Sequence, residues 1–243
     1  MKRDPFSTRV CDLGLTVNGS IFGRLTRRVH RELRAKGIVL RPNWYLSSEY
    51  GCVVDSCNVG LKWVEAIGQI PALARRFGHL FRPEPEILMT LRHEAGHAFC
   101  YVHRLYRLRR FRALFEVKGD FYGRYPDDGW APTAADRRRF REGRHISLHC
   151  LKHPDEDFSI TFQTWLWPGS RWRTRYAAWP GIMEKFAFVG EMVRRYGSRP
   201  HKNDDNDLDV PISDLTYIAG AYLRQEKIHR PGGGCGYHGN QIR

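Results

Sequence analysis

The chain reads as an α+β protein: a small N-terminal sheet followed by a mainly helical C-terminal half. Three observations predict this. Before residue 64, outside one helical ladder from Ile21 to Leu33, apolar residues alternate with polar ones in short runs, the period of half-buried strands. From Pro83 onward they recur every three or four residues over longer stretches, the period of helices lying on a core. Gly and Pro fall between these runs, where turns and stops belong. With 243 residues and 42% hydrophobic content, the chain has enough apolar material for one large domain. That domain is expected over 1–197, followed by a polar linker at 198–212, a helix at 213–228 packing back on the same domain, and a flexible Gly-rich tail at 229–243.

The elements follow in order. Leu13, Leu15 and Val17 alternate before Asn18-Gly19, which predicts a short strand closed by a turn. Ser20 can cap a helix whose ladder is Ile21, Leu25, Val29 and Leu33, and Gly37 ends it. Ile38, Leu40, Trp44 and Leu46 return to period two as a second strand, weakened by Pro42. Val59, Leu61 and Trp63 predict a third, a candidate to pair with an extended substrate backbone.

Pro83 and Pro85 suit the first turn of a helix expected over about 86–109, with Ile87, Leu88, Leu91, Ala95, Ala98, Val102 and Leu105 facing the core. Residues 115–144 carry Gly119, Gly123, Gly129, two prolines and Arg137-Arg138-Arg139. They read as an irregular basic excursion, either a substrate-facing loop or a solvated insertion. A helix then opens at His153-Pro154, buries Phe158, Phe162, Trp165 and Leu166, and stops at Pro168-Gly169. Met183, Phe186, Val189, Met192 and Val193 make another between Pro180 and Gly197, and a last helix is expected over about 213–228.

The formal charge of +14, from 40 Lys plus Arg against 26 Asp plus Glu, would attract acidic partners such as nucleic acid, although an Arg-rich solvated surface is the plainer explanation. The six cysteines (Cys11, Cys52, Cys57, Cys100, Cys150, Cys235) form no Cys-x-x-Cys pair. That argues against a zinc ribbon and a dense disulfide scaffold, and for reduced thiols. No apolar run of about 18 residues occurs, and none follows the basic N-terminus, so a soluble cytoplasmic protein without membrane contact is expected.

Chemistry concentrates in Leu91-Arg92-His93-Glu94-Ala95-Gly96-His97-Ala98-Phe99. On a helix His93 and His97 lie one turn apart on one face, so both imidazoles can grip one zinc ion while Glu94 faces the water it holds. Catalytic zinc takes three protein ligands and leaves one position open. Two residues compete to be the third. His103 reproduces the spacing of the extended metzincin motif, but Cys100 stands where that motif has a glycine to end the helix. In a continuing helix, His103 would lie about 120° from the direction of His97. Glu156, in the first turn of the helix that starts at His153, is the gluzincin-like alternative, an acid arriving from a distant element. Asp155, Glu156 and Asp157 would also complement the positive end of a helix dipole, so one is expected to bind metal while the others cap or orient.

Taken together, Arg92-His93-Glu94-Ala95-Gly96-His97, His153-Pro154-Asp155-Glu156-Asp157-Phe158, Trp172-Arg173, and Tyr176, Ala177, Trp179 and Pro180 resemble the bacterial zinc-binding metallopeptidases of gluzincin type, a group of poorly defined substrate. The similarity spans most of 13–227 and lacks the N-terminal zinc ribbon of some members. It implies a zincin-like domain with His93, His97 and Glu156 as zinc ligands, Glu94 as general base, and His149 at an aromatic position, often tyrosine, that stabilises an oxyanion. Where such proteins, like anthrax lethal factor, tend to have Ala-Glu one turn after the ligand glutamate, this chain has Ser159-Ile160, so an acid that would orient a ligand is missing.

The function expected is zinc-dependent hydrolysis of a peptide or protein substrate. A zinc-binding scaffold or regulator without activity is the alternative that Ile160 favours. A metalloprotease associated with nucleic acid is a third reading, which Arg-rich segments such as 107–112 favour.

Overall fold

The computed structural model describes residues 4–122, 130–201 and 206–228. It is a mixed α+β protein dominated by helix, with one three-stranded sheet among the described residues. The helices are α1 (Ile21–Ala35), α2 (Pro71–Phe77), α3 (Glu84–Val102), α4 (Arg109–Leu114), α5 (Ala134–Arg141), α6 (Pro154–Leu166), α7 (Trp172–Arg175), α8 (Pro180–Tyr196) and α9 (Ala219–Ile228). The strands are β1 (Asn43–Ser47), β2 (Gly51–Cys52) and β3 (Asn58–Lys62). Two compact units emerge, one made of 4–29, 42–91 and 206–228, the other of 30–41, 92–122 and 130–201.

The first unit holds the sheet, in the order β1-β3-β2. β3 is parallel to β1, with Val59 opposite Trp44, and antiparallel to β2, with Val59 opposite Cys52. The strand predicted over 13–17 does not form. Leu15 is buried and its neighbours less so, but no strand pairs with the segment, and the nearby amides of Val10 and Cys11 donate to the Tyr217 and Leu215 carbonyls. Alternation records which side chains are buried; a ladder also needs a partner. β3 forms over Val59 and Leu61 but stops before Trp63, which opens a 3-10 turn; it is the central strand, hydrogen-bonded on both sides at Val59 and Gly60, so those positions offer no free edge to a substrate. The last helix begins at Ala219 rather than near Ser213, because the chain takes a tight turn over Ile212–Asp214 first.

The second unit is built around α6, whose residues Asp155 to Thr164 are buried on every side. Phe99 stacks on Phe162, and Phe111 packs on Phe158, with ring centroids 5.3 and 5.4 Å apart. Each such buried ring contributes about 1.5–3 kcal/mol. The helix predicted to run to residue 109 ends at Val102, where Arg104 takes a left-handed conformation (φ 48°). The apolar ladder misleads because Leu105 and Phe111 reach the core from a separate turn and from α4.

The 115–144 stretch is not irregular throughout. Thr133 and Asp136 form a reciprocal capping box that starts α5, in which each satisfies a backbone N–H of the other. Gly123 and Gly129 of that stretch, residues 202–205 of the predicted linker and the predicted tail at 229–243 lie outside the described residues. Among the described residues no helix is long and apolar enough to cross a membrane.

Candidate metal centre

Helical spacing alone brings His93 and His97 together: their Nε2 atoms lie 2.9 Å apart on one face of α3. Position within the core brings the third group. Gly96 lies between the two histidines, and a Cβ there would stand 3.1 Å from Ser159 Cα and 3.2 Å from Phe162 Cβ. The missing side chain therefore lets α6 lie close against α3 and carries Glu156 to the histidines, with Oε2 3.1 Å from His93 Nε2. One donor atom from each of His93, His97 and Glu156 falls within 4.8 Å of the others, and all three residues are buried.

These donors fit a small divalent cation. Zinc bonds of about 2.0–2.1 Å in a tetrahedron place neighbouring ligand atoms about 3.3 Å apart, close to the separations found. Two imidazole nitrogens and a carboxylate oxygen are ordinary zinc donors. His93 Nδ1 is buried with no hydrogen-bond partner among the described residues.

His103 takes no part. Its ring lies against Phe99 and stacks on Tyr196, with centroids 4.8 and 5.4 Å away. Burial, with the His201 ring and the Arg199 guanidinium nearby, lowers its pKa to about 4.

Each of the three consecutive acids has a different partner. Asp155 Oδ2 lies 2.8 Å from His97 Nδ1 and accepts a hydrogen bond from the Tyr101 hydroxyl. It thus stands where a carboxylate orients a metal-binding imidazole. Glu156 also meets His149, whose Nε2 is 3.3 Å from Oε2. Asp157 turns to the Lys185 ammonium at 2.6 Å and to His145 Nδ1 at 3.1 Å. The helix N-cap is not one of the acids but His153, whose Nδ1 accepts from the Asp155 amide while Nε2 faces the Phe121 carbonyl at 2.8 Å. That pattern is a neutral ring, and burial lowers its pKa.

Ile160 packs with Ile146, Cys150, Tyr176, Ile182 and Phe186 in an apolar cluster. An acid is therefore absent at 160 but present beside His97 from Asp155. Tyr101 lies four residues after His97, a spacing that places it near that ring; the signal in sequence was this interval alone. Lys185 and His145 carry no such signal, being 28 and 12 residues from Asp157.

The electrostatics are those of a pocket short of positive charge. Burial pushes the Glu94 carboxyl up, with His93 and His97 pulling it part of the way back. For Glu156 burial also opposes ionisation, but hydrogen bonds from His149 and His93 win and hold its pKa well below the ordinary value. Burial alone would lower His97, yet the Asp155 carboxylate prevails and raises it to about 10. Coordination requires an unprotonated nitrogen, so loading a cation here expels a proton.

Comparison with known proteins gives no match: no family model, no curated protein and no solved structure matches this chain.

Proposed function

We propose that the chain is a zinc-dependent peptide hydrolase with a zincin-like domain of gluzincin type. The observation that carries this reading is the meeting of Glu156, from α6, with His93 and His97, from α3, in one buried three-donor group. The motif order that resembles bacterial zinc-binding metallopeptidases supports it independently. His93, His97 and Glu156 would hold the ion. Bound zinc supplies Lewis acidity, polarising a carbonyl and lowering the pKa of water to about 7.

The remaining chemistry belongs to the side chains. Glu94 takes the proton of the attacking water and returns it to the leaving nitrogen; its burial raises its basicity towards what a general base at neutral pH requires. His149 is the donor for the oxyanion. Its side chain is 33% exposed where those of His93 and His97 are 3% and 7%, so the pocket opens to solvent on its side. Asp155 holds the His97 ring in the orientation that presents Nε2.

A basic surface flanks this region. Arg137, Arg138 and Arg141 share the exposed face of α5, which packs on the short turn Leu148–Leu151 that carries His149. This favours acidic segments in the substrate, and it is also the feature that would recruit nucleic acid. The five described cysteines are thiols rather than disulfides, in keeping with action in a reducing compartment such as the cytoplasm.

Metal analysis and cleavage profiling on a peptide library test the proposal. The wild-type chain is expected to retain one zinc and to cleave. Glu94→Gln should keep the zinc and lose turnover by about 10²–10⁴-fold. Stoichiometric zinc without any cleavage would instead make the chain a zinc-binding scaffold, and a chain unable to take up zinc would end the proposal.

A further inference from the structure

The third acid of the row, Asp157, belongs to a buried cluster that the proposed hydrolysis leaves without a role. Lys185, on α8, is 3% exposed. Its ammonium donates to Asp157 Oδ2 and to the Arg144 carbonyl, both at 2.6 Å, and sits 5.5 Å above the Phe115 ring. His145 adds its Nδ1 at 3.1 Å from the same Asp157 oxygen. Burial resists ionisation of Asp157, yet Lys185 and His145 lower its pKa.

A charge so deep inside a fold is costly to bring out of water, and stability alone is served as well by apolar side chains of similar size. What the ion pair adds is direction. The segment from Arg144 to His149 is held at both ends: at its start by Lys185 and His145, and at its finish by His149 Nε2 against Glu156. Asp157 is next to Glu156 in the first turn of α6, so one ammonium ties together the acid that faces the histidines and the strip of chain that brings His149 to it.

We propose that Lys185 is a positioning residue of the metal centre, setting Glu156 and His149 against each other through Asp157 and the Arg144 carbonyl. The inference rests on the reading of His93, His97 and Glu156 as metal ligands.

Cobalt(II) provides the test, because its visible spectrum reports ligand geometry and its affinity can be titrated without any substrate. The wild-type chain is expected to bind one cobalt with the intense bands of a four-coordinate site; failure to bind would remove the metal reading and this proposal with it. Lys185→Met should weaken binding at least tenfold and change those bands. Should that variant not fold, the pair Asp157→Leu with Lys185→Met replaces the ions by apolar groups and restores packing. With the pair, thermal stability is expected to recover while affinity stays at least tenfold below wild type and the bands stay altered, and Lys185→Arg should recover part of both. If the wild type binds cobalt and the folded pair variant shows wild-type affinity and spectrum, the cluster serves stability only and Lys185 positions nothing.

Discussion

Glu156 and Asp157 are neighbours in one helical turn, both buried, and each is faced by a histidine and by a second nitrogen donor. They differ in charge balance. Asp157 has its cation built in, the Lys185 ammonium. Glu156 faces the His93 and His149 imidazoles, in a pocket that also contains Asp155 and Glu94. The chain therefore completes one buried site with its own charge and leaves the other to be completed by something it binds. Candidate ligand sites are found by this asymmetry more reliably than by counting acids, since three consecutive acids here have three different partners.

The comparison can be broken by removing the two carboxylates in turn. Glu156→Ala should all but abolish zinc retention, while the metal-free fold loses less stability than on removal of Asp157, since the contacts given up are to His93 and His149 rather than to a buried ammonium. In the same zinc assay His103→Ala should have far less effect, because its ring packs on Phe99 and Tyr196; the reverse order would restore His103 as the ligand. Asp157→Ala should do the opposite to stability, costing about 3–5 kcal/mol in chemical denaturation because Lys185 is left as an uncompensated buried charge.

A smaller change sharpens the account of Asp155. Asp155→Asn keeps the size of the group and one acceptor for His97 but removes the charge, and zinc affinity should fall about 10–100-fold in competition with a chelator.

The smallest effect concerns pH. His103 has a folded pKa of about 4, below the ordinary value of 6.5, so the native state favours the neutral ring. The unfolded chain binds this proton more readily, so stability is whole above pH 6.5 and falls as the pH drops towards 4. Because the ring is partly exposed, water screens the effect to about 1 kcal/mol at pH 5. His103→Gln should flatten the decline of Tm between pH 7 and 4.5 by a corresponding amount.

Much of the site was legible because it is local. His93, Glu94 and His97 form one helical face whatever the rest of the chain does, and Tyr101 continues that face. The Pro-Asp-Glu-Asp start of α6 was legible as a helix beginning rich in acid, with Glu156 expected to meet the histidines, but the partners of Asp155 and Asp157 were not. His103 illustrates the limit from the other side: it is excluded from the centre as expected, yet not because α3 continues. The helix stops at Val102, and the ring packs on Phe99 and Tyr196.

The residues in order thus determined periodicity, capping and spacing, because these depend on a few neighbours along the backbone: the α+β class, the imidazole pair, and the start and end of α6 and α8. Spacing left Glu156 and His103 both open, and the resemblance pointed to Glu156; only tertiary structure decided that Gly96 lets Glu156 reach the imidazoles, that Asp155 replaces the acid missing at Ile160, and that Lys185 neutralises Asp157. Those outcomes depend on how closely two helices approach and on which buried charge reaches another first, and distance between elements is not a property of any short stretch of sequence.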